Sequence, residues 1–379
     1  MMKAKYEVAD ILRRNHHILE HIVVNRWKLR TLYAIEICRT ATMGGHIDQC
    51  LNTACNKTHI SYNSCRNRHC PKCQGHKQHE WILARENELI NTSYYHMVFT
   101  LPSELHKLTF ANQKTVYSIL FKTAWSVVRD FAANPKFIGG KTGMISILHT
   151  WGQNLSFHPH LHCIVPGGGI NPNKKWKAAK GKDKYLFPVK AISKVFRARF
   201  IKQIRLHFNL HPEIYKLLFQ KKWVVYCKQP FYGPKQVIEY LGRYTHKVAI
   251  SNHRLIDIRD QQVTFMAKDY KHGGKKQPVS LSDREFIRRF CFHILPKGFT
   301  RIRHYGILSS SLKKGILPIL HEQLGLVKLC PQEESKHRIC PSCQKGELIT
   351  IRYFDNRGPP KNIKALDKAI IQTIIKIKS

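Results

Sequence analysis

Acidic residues are scarce in this chain: 24 Asp and Glu stand against 64 Lys and Arg among 379 residues, and the formal net charge is +40. An excess of that size repels itself unless a polyanion neutralises it, which favours nucleic acid as the partner. Long apolar runs are also lacking, since none approaches the roughly 18 residues that cross a membrane. Hydrophobic residues still make up 43% of the chain, too many for a disordered polyelectrolyte. We therefore expect a folded, soluble, cytoplasmic and nucleoid-associated protein without a membrane partner.

The order of the predicted elements favours an α+β fold. Residues 9–37 follow a helical pattern, a Cys/His-rich stretch comes next, and the following strands and helices do not alternate as regular βαβ units. We expect three parts: a helical and zinc-binding DNA-binding module over 1–90, a larger domain over 91–330, and a cysteine-containing tail over 331–379. The Gly/Lys-rich residues 166–184 predict an exposed hairpin tip or loop.

Cysteine is abundant and clustered, with six of the twelve cysteines between Cys38 and Cys73. In a basic, intracellular chain, CxxC pairs favour metal binding over disulfide bonds. Cys70 and Cys73 form such a pair, and Cys50 and Cys55 supply two more thiols, so the four together predict a closed, structural zinc site. Scattered buried cysteines are the alternative. The other candidate ligands that stay open here are Cys65, His46, His59 and His69.

A further CxxC pair lies towards the other end of the chain. Cys340 and Cys343 are candidates for a second zinc site, with Cys330 and His337 as further ligands.

Residues 157–165, FHPHLHCIV, combine a strand pattern with three histidines. Side chains alternate along a strand, so one face is apolar throughout and the other carries His158, His160 and His162. Two histidines two residues apart can reach one ion, whereas three in a row span too far. We expect His160 and His162 to bind a metal ion. The candidates for a third ligand are Gln153, His158, Glu104 and His246.

Two tyrosines share one side of a predicted helix over 233–250. Tyr240 and Tyr244 are four residues apart, which places their hydroxyls one turn from each other. They could be boundary residues of an amphipathic helix. Near a bound cation, however, a phenol can attack a phosphodiester. The basic residues predicted to contact phosphate groups are Arg66, Arg68, Arg243 and Lys247.

Taken together, these motifs resemble a known family: rolling-circle insertion-sequence transposases with an HUH nuclease domain, two tyrosines and an amino-terminal zinc-binding region. The stretches that carry the resemblance are CRTATMGGH (38–46), YNSCRNRHCPKCQ (62–74), MVFTLPSEL (97–105), HTWGQNLSFHPHLHCIVPGGG (149–169), YLGRYTHKVAISNHRL (240–255) and EFIRRFCFHILPKGFTRIRHYGILS (285–309). They cover most of the chain in order.

The resemblance implies an HUH-type antiparallel sheet flanked by helices, within the domain over 91–330. It implies His160 and His162 as ligands of a catalytic Mg²⁺ or Mn²⁺, and Tyr240 and Tyr244 as nucleophiles. The expected activity is nicking and joining of single-stranded DNA at element ends and target DNA, through 5′-phosphotyrosine intermediates. The alternatives are an HUH replication initiator or relaxase, and a non-enzymatic, zinc-stabilised nucleic-acid-binding protein.

Overall fold

The computed structural model describes residues 4–73, 88–181, 186–228, 236–237, 242, 248–269, 273–326, 338–363, 367 and 370–372. The chain divides into two compact units, Met1–Gln74 with Cys330–Ser379 and, between them in the sequence, Gly75–Leu329. The cysteine-containing tail that the sequence sets apart therefore belongs to the same unit as the amino-terminal module.

The first unit begins with three helices, as the pattern over 9–37 predicts. They are α1 (Val8–Arg14), α2 (Leu19–Ile22) and α3 (Arg26–Glu36). The side chain of Asn25 starts α3 by accepting a hydrogen bond from the backbone N–H of Lys28 (3.1 Å). Two strands follow, β1 (Gly45–Cys50) and β2 (Thr58–Tyr62).

The second unit contains a larger set of strands and helices. In chain order they are β3 (Tyr94–Thr100), α4 (His106–Ala111), α5 (Gln113–Ala133), β4 (Gly143–Trp151), β5 (Phe157–Pro166), β6 (Gly168–Ile170), β7 (Trp176–Ala178), α6 (Val189–His207), α7 (Pro212–Gln220), β8 (Val225–Cys227), β9 (Leu255–Arg259), β10 (Gln262–Asp269), β11 (Lys275–Ser282), α8 (Asp283–Phe292), β12 (Ile302–Gly306) and α9 (Lys313–Leu324). The residues predicted as a hairpin tip or loop, 166–184, include the short antiparallel pair β6–β7.

A five-stranded antiparallel sheet in the order β12-β4-β5-β3-β8 forms the centre of this unit. One face of the sheet is apolar and packs against α5 and α6, where Phe99, Leu161 and Phe196 are fully buried. The opposite face carries the histidines of β5 next to a second apolar cluster that includes Ile145 and Ile164. The alternation of FHPHLHCIV thus separates a packing face from a polar face, and the predicted α+β fold with a helix-flanked antiparallel sheet is confirmed.

The last strand, β13 (Leu348–Phe354), returns to the first unit. It pairs antiparallel with β1, in the sheet order β13-β1-β2. The middle strand of this sheet therefore has one neighbour from each end of the chain.

None of the helices in the described ranges is long and apolar enough to cross a bilayer.

We predict that Phe196→Ala destabilises the second unit by about 3–5 kcal/mol, because the cavity left in a close-packed core cannot fully collapse. The Phe196 ring lies 4.9 Å from that of Phe99 and 5.6 Å from that of Trp223, centroid to centroid. Calorimetric unfolding measures the effect. Lys202→Ala, on the exposed side of the same helix, is the control, and equal transition temperatures for the two variants would contradict the prediction.

Candidate functional site

Three imidazoles converge on the polar face of the central sheet. His149 of β4 lies directly opposite His160 of β5 in the strand register, and His162 follows two residues later on the same face. One ring nitrogen from each of the three lies within 4.8 Å of the other two. The structure therefore brings together the predicted ligands His160 and His162, and it adds His149 as a third donor.

The hydrogen bonds around these rings leave lone pairs facing one another. Nδ1 of His160 donates to the backbone carbonyl of His158 (2.6 Å), so its lone pair is at Nε2, which lies 3.1 Å from Nε2 of His162. Nδ1 of His162 lies 2.9 Å from Nε2 of the buried His96, whose ring stacks on it. With the His162 proton at Nδ1, donated to His96, the Nε2 atoms of His160 and His162 each carry a lone pair that can coordinate one cation.

Partial burial favours the neutral form of His160 and of the nearby His96. Loss of solvent lowers the pKa of His160 to about 4. It lowers the pKa of His96 to about 3, with a further contribution from the charge of Lys228. Because protonation would remove the coordinating lone pair, these low pKa values keep the nitrogens of His160 available to a metal ion at neutral pH.

Two side chains, one from helix α8 and one from the residue that follows it, form hydrogen bonds with the turn between β4 and β5. Nε2 of the buried His293 donates to the carbonyl of Leu155 (3.1 Å), and its Nδ1 accepts from the hydroxyl of Thr150 (3.1 Å). Arg289 donates to the carbonyl of Asn154 (3.1 Å). Two residues from a segment at least 135 positions further along the chain, Arg289 and His293, thus hold the connection between the two histidine-bearing strands.

An aromatic and cationic layer lies beside the imidazoles. The Trp151 indole stacks on His149 with ring centroids 4.7 Å apart, and the Arg301 guanidinium lies over Trp151 at 5.3 Å. Such a layer can stack on a nucleobase while its cation neutralises a phosphate.

None of the predicted third ligands within the described residues belongs to this group of three imidazoles. The backbone carbonyl of Gln153 accepts a hydrogen bond from Arg254, and Glu104 forms an ion pair with Lys221 (2.5 Å). The backbone carbonyl of His158 accepts a hydrogen bond from Nδ1 of His160, and the side chain of His158 is exposed. His246 lies outside the described residues.

The predicted tyrosine helix lies almost wholly outside the described residues, which include neither Tyr240, Tyr244, Arg243 nor Lys247. Val237, three residues before Tyr240, is described. It is buried in the apolar cluster on the histidine-bearing face of the sheet, with Ile145 and Ile164.

In the first unit, one group of four thiols consists of Cys38, Cys65, Cys70 and Cys73. The Sγ atom of Cys73 lies 3.5 Å from that of Cys38 and 3.7 Å from that of Cys65. Four sulfurs at the corners of a zinc tetrahedron, with bonds of about 2.3 Å, are separated by roughly 3.8 Å. Hydrogen bonds among the four thiols lower the pKa of Cys38 to about 7 and also lower that of Cys73, and they raise the pKa of Cys65 and Cys70.

A second group of thiols consists of Cys50, Cys55, Cys340 and Cys343. The predicted set of Cys50, Cys55, Cys70 and Cys73 around one ion is thus divided between two groups. The physical reason is that Cys38 follows α3 directly and reaches the CxxC loop, whereas the pairing of β1 with β13 delivers the second CxxC pair to Cys50. Of the other ligands proposed for the second pair, Cys330 and His337 lie outside the described residues.

The other candidates in the amino-terminal module are two arginines predicted to contact phosphate and the alternative zinc ligands. Arg66 is exposed and Arg68 half-buried in the loop between Cys65 and Cys70, and burial lowers the pKa of Arg68. Among the alternative ligands, Cys65 belongs to the first thiol group. Nε2 of His59 lies 3.3 Å from the sulfur of Cys340, and Nε2 of His46 lies 3.2 Å from a carboxylate oxygen of Asp48.

Comparisons with known proteins agree with this arrangement. Residues 143–315 match a family model described as a putative transposase, and residues 11–101 match a transposase zinc-binding domain. The putative transposase y4qJ of Sinorhizobium fredii is 40% identical over 95% of this chain and 99% of its own length. The transposase for insertion sequence element IS801 of Pseudomonas savastanoi pv. phaseolicola is 26% identical over 81% of this chain and 77% of its own length. No solved structure matches the chain significantly.

The fold, the histidine cluster and these similarities define a transposase, a protein that acts on DNA. The chain belongs to the family of insertion-sequence transposases that its motifs resemble, and that identification is confirmed. The zinc-binding match and the thiol geometry together support structural zinc in the amino-terminal module.

We predict that His96→Phe weakens Mn²⁺ binding by about 10–100-fold, as the loss of a hydrogen-bond partner behind a metal ligand commonly does. Phenylalanine keeps a ring in the stack with His162 but removes the acceptor for its N–H. His96→Gln is the matched control, because its side-chain oxygen can accept the same bond and should preserve more of the affinity. Titration calorimetry on the purified proteins measures both. Wild-type affinity in the Phe variant would show that His96 does not orient the ligand.

Proposed function

We propose that this transposase nicks and joins single-stranded DNA at the ends of an insertion element, through a tyrosine that becomes linked to the 5′ phosphate. The observation that carries the proposal is the convergence of three imidazoles on one face of an antiparallel sheet. Family membership supplies the DNA substrate.

The nucleophile in this proposal is Tyr240 or Tyr244. Its phenolic oxygen attacks the scissile phosphorus and loses its proton, while the 3′ oxygen leaves and is protonated to a free 3′-OH. The phosphotyrosine keeps the energy of the broken phosphodiester, so a 3′-OH can later attack it and restore a DNA strand. The burial of Val237 on the histidine-bearing face supports this assignment, because Tyr240 follows only three residues later in the sequence.

His149, His160 and His162 would hold a divalent cation. When bound, such a cation polarises a non-bridging oxygen of the scissile phosphate. Their donor set suits Mn²⁺ better than Mg²⁺, because Mg²⁺ prefers oxygen ligands and imidazole binds the transition metals more readily.

The strand would be held by charge and stacking. The net charge of +40 provides phosphate contacts throughout the chain, and the Trp151–Arg301 layer lies next to the imidazoles. In the amino-terminal module we propose Arg66 and Arg68 as phosphate contacts, and in the tyrosine segment Arg243 and Lys247. The protein would act in the cytoplasm, at the nucleoid.

We predict that His160→Ala combined with His162→Ala abolishes cleavage of end-labelled single-stranded DNA while DNA binding persists, because the positive charge that binds DNA is spread over the chain. His158→Ala is the matched control, since its side chain is exposed and does not belong to the group of three ligand nitrogens. Cleavage in a denaturing gel and binding by fluorescence anisotropy separate the two effects. Wild-type cleavage by the double variant would exclude these histidines from catalysis.

A second prediction concerns the nucleophile. Tyr240→Phe combined with Tyr244→Phe keeps both rings but removes the attacking oxygens, so no covalent protein–DNA adduct should form with Mn²⁺ present. Denaturing electrophoresis of the reaction detects the adduct, and the single variants show which tyrosine forms it. An adduct that persists in the double variant would refute the two-tyrosine assignment.

A further inference from the structure

The second thiol group joins residues from the two ends of the chain. Cys50 and Cys343 are 293 positions apart in the sequence, and Cys55 and Cys340 are 285 apart. Cys340 and Cys343 lie outside residues 11–101, to which the zinc-binding family model is confined. The group of four thiols therefore combines two cysteines of the family's zinc-binding domain, Cys50 and Cys55, with two cysteines from outside that domain.

The distances fit one tetrahedral ion. The sulfurs of Cys50 and Cys343 are 3.7 Å apart and those of Cys55 and Cys340 are 3.9 Å apart. Zinc–sulfur bonds of about 2.3 Å place tetrahedral sulfurs roughly 3.8 Å from each other, whereas a disulfide bond holds its sulfurs at about 2.05 Å. The four ligand atoms all lie within 4.8 Å of one another, so each is near the same centre.

The backbone around Cys340 and Cys343 has the shape of a metal-binding knuckle. The N–H of Cys340 donates to the carbonyl of Gly346 (2.7 Å), and the N–H of Gln344 donates to the carbonyl of Cys340 (2.8 Å). The N–H of Gly346 points at the sulfur of Cys343 (3.3 Å). An N–H donor directed at sulfur stabilises a thiolate over a thiol.

Close packing across the group also depends on glycine. A Cβ atom added to Gly346 would overlap the sulfur of Cys50, so only glycine lets the knuckle approach that closely. On the other side, Nε2 of His59 lies 3.3 Å from the sulfur of Cys340, and the side-chain amide of Asn52 donates to Cys343 at 3.9 Å. Polar donors thus surround the sulfurs, as they do around metal-bound thiolates.

We propose that Cys50, Cys55, Cys340 and Cys343 bind a second structural zinc ion, which links the amino-terminal module to the carboxyl-terminal segment. Each thiol gives up its proton to solvent as the ion binds, and the four protein ligands close the tetrahedron. The ion has no open position for water, and its role is to hold the knuckle before β13 against the end of β1.

Native mass spectrometry of the full chain tests the proposal by counting zinc ions. We expect two per wild-type chain, one in Cys340→Ser/Cys343→Ser and one in Cys38→Ser/Cys65→Ser. Cys227→Ser, which changes a thiol outside both groups, should retain two. A wild-type chain with one zinc ion, lost in the Cys38/Cys65 variant, would overturn the proposal, as would two ions in the Cys340/Cys343 variant.

A measurement on the wild-type chain covers the case in which these variants fail to fold. Cys55 and Cys343 are both half-buried rather than buried, so iodoacetamide should reach them once the metal is removed. We expect both to be protected in the purified protein and alkylated after chelation. Alkylation at the same rate before and after chelation would overturn the proposal, and so would an intact mass that reveals disulfides instead of zinc.

Discussion

The histidine cluster depends on the register between β4 and β5. Because side chains alternate along a strand, a slip of one residue would turn the imidazoles of one strand into the apolar core and dissolve the group. The turn that sets this register is short, and His293 and Arg289 bind its backbone carbonyls from α8 and the position just after it. Residues more than a hundred positions away along the chain thus determine which atoms face one another at the site.

The parts of the site with a local period could be predicted from the sequence. The alternation in FHPHLHCIV identifies both the buried face and the pair His160 and His162, because the period of two is a property of the strand alone. His149 was missed, since its position opposite His160 follows from pairing between strands. Counting outward from the turn, where Trp151 pairs with Phe157, would place His149 opposite Pro159. A register shift between His149 and Trp151 instead puts it opposite His160, and nothing in the sequence indicates that shift.

For the cysteines too, local spacing in the sequence does not show which residues the fold brings together. Their spacing correctly indicates metal-binding thiols, but it groups neighbours along the chain, and the fold groups neighbours in space. Cys70 and Cys73 find Cys38 and Cys65, while Cys50 and Cys55 find two cysteines from the far end of the chain. Spacing rules apply to ligands on one short hairpin, and they cannot detect a ligand set completed by a distant strand.

The position of β1 between β2 and β13 determines the order in which the protein can be completed during its synthesis. When residue 62 has left the ribosome, β1 can pair on one side only, and its other edge waits for a strand that begins at Leu348. At about 5–20 residues per second, that wait lasts roughly 15–60 s, during which the whole of the second unit emerges. An open strand edge in a nascent chain invites pairing with other chains. The amino-terminal unit, although made first, is therefore finished last, and the nascent protein can form its histidine-bearing sheet before the sheet of β13, β1 and β2 is complete.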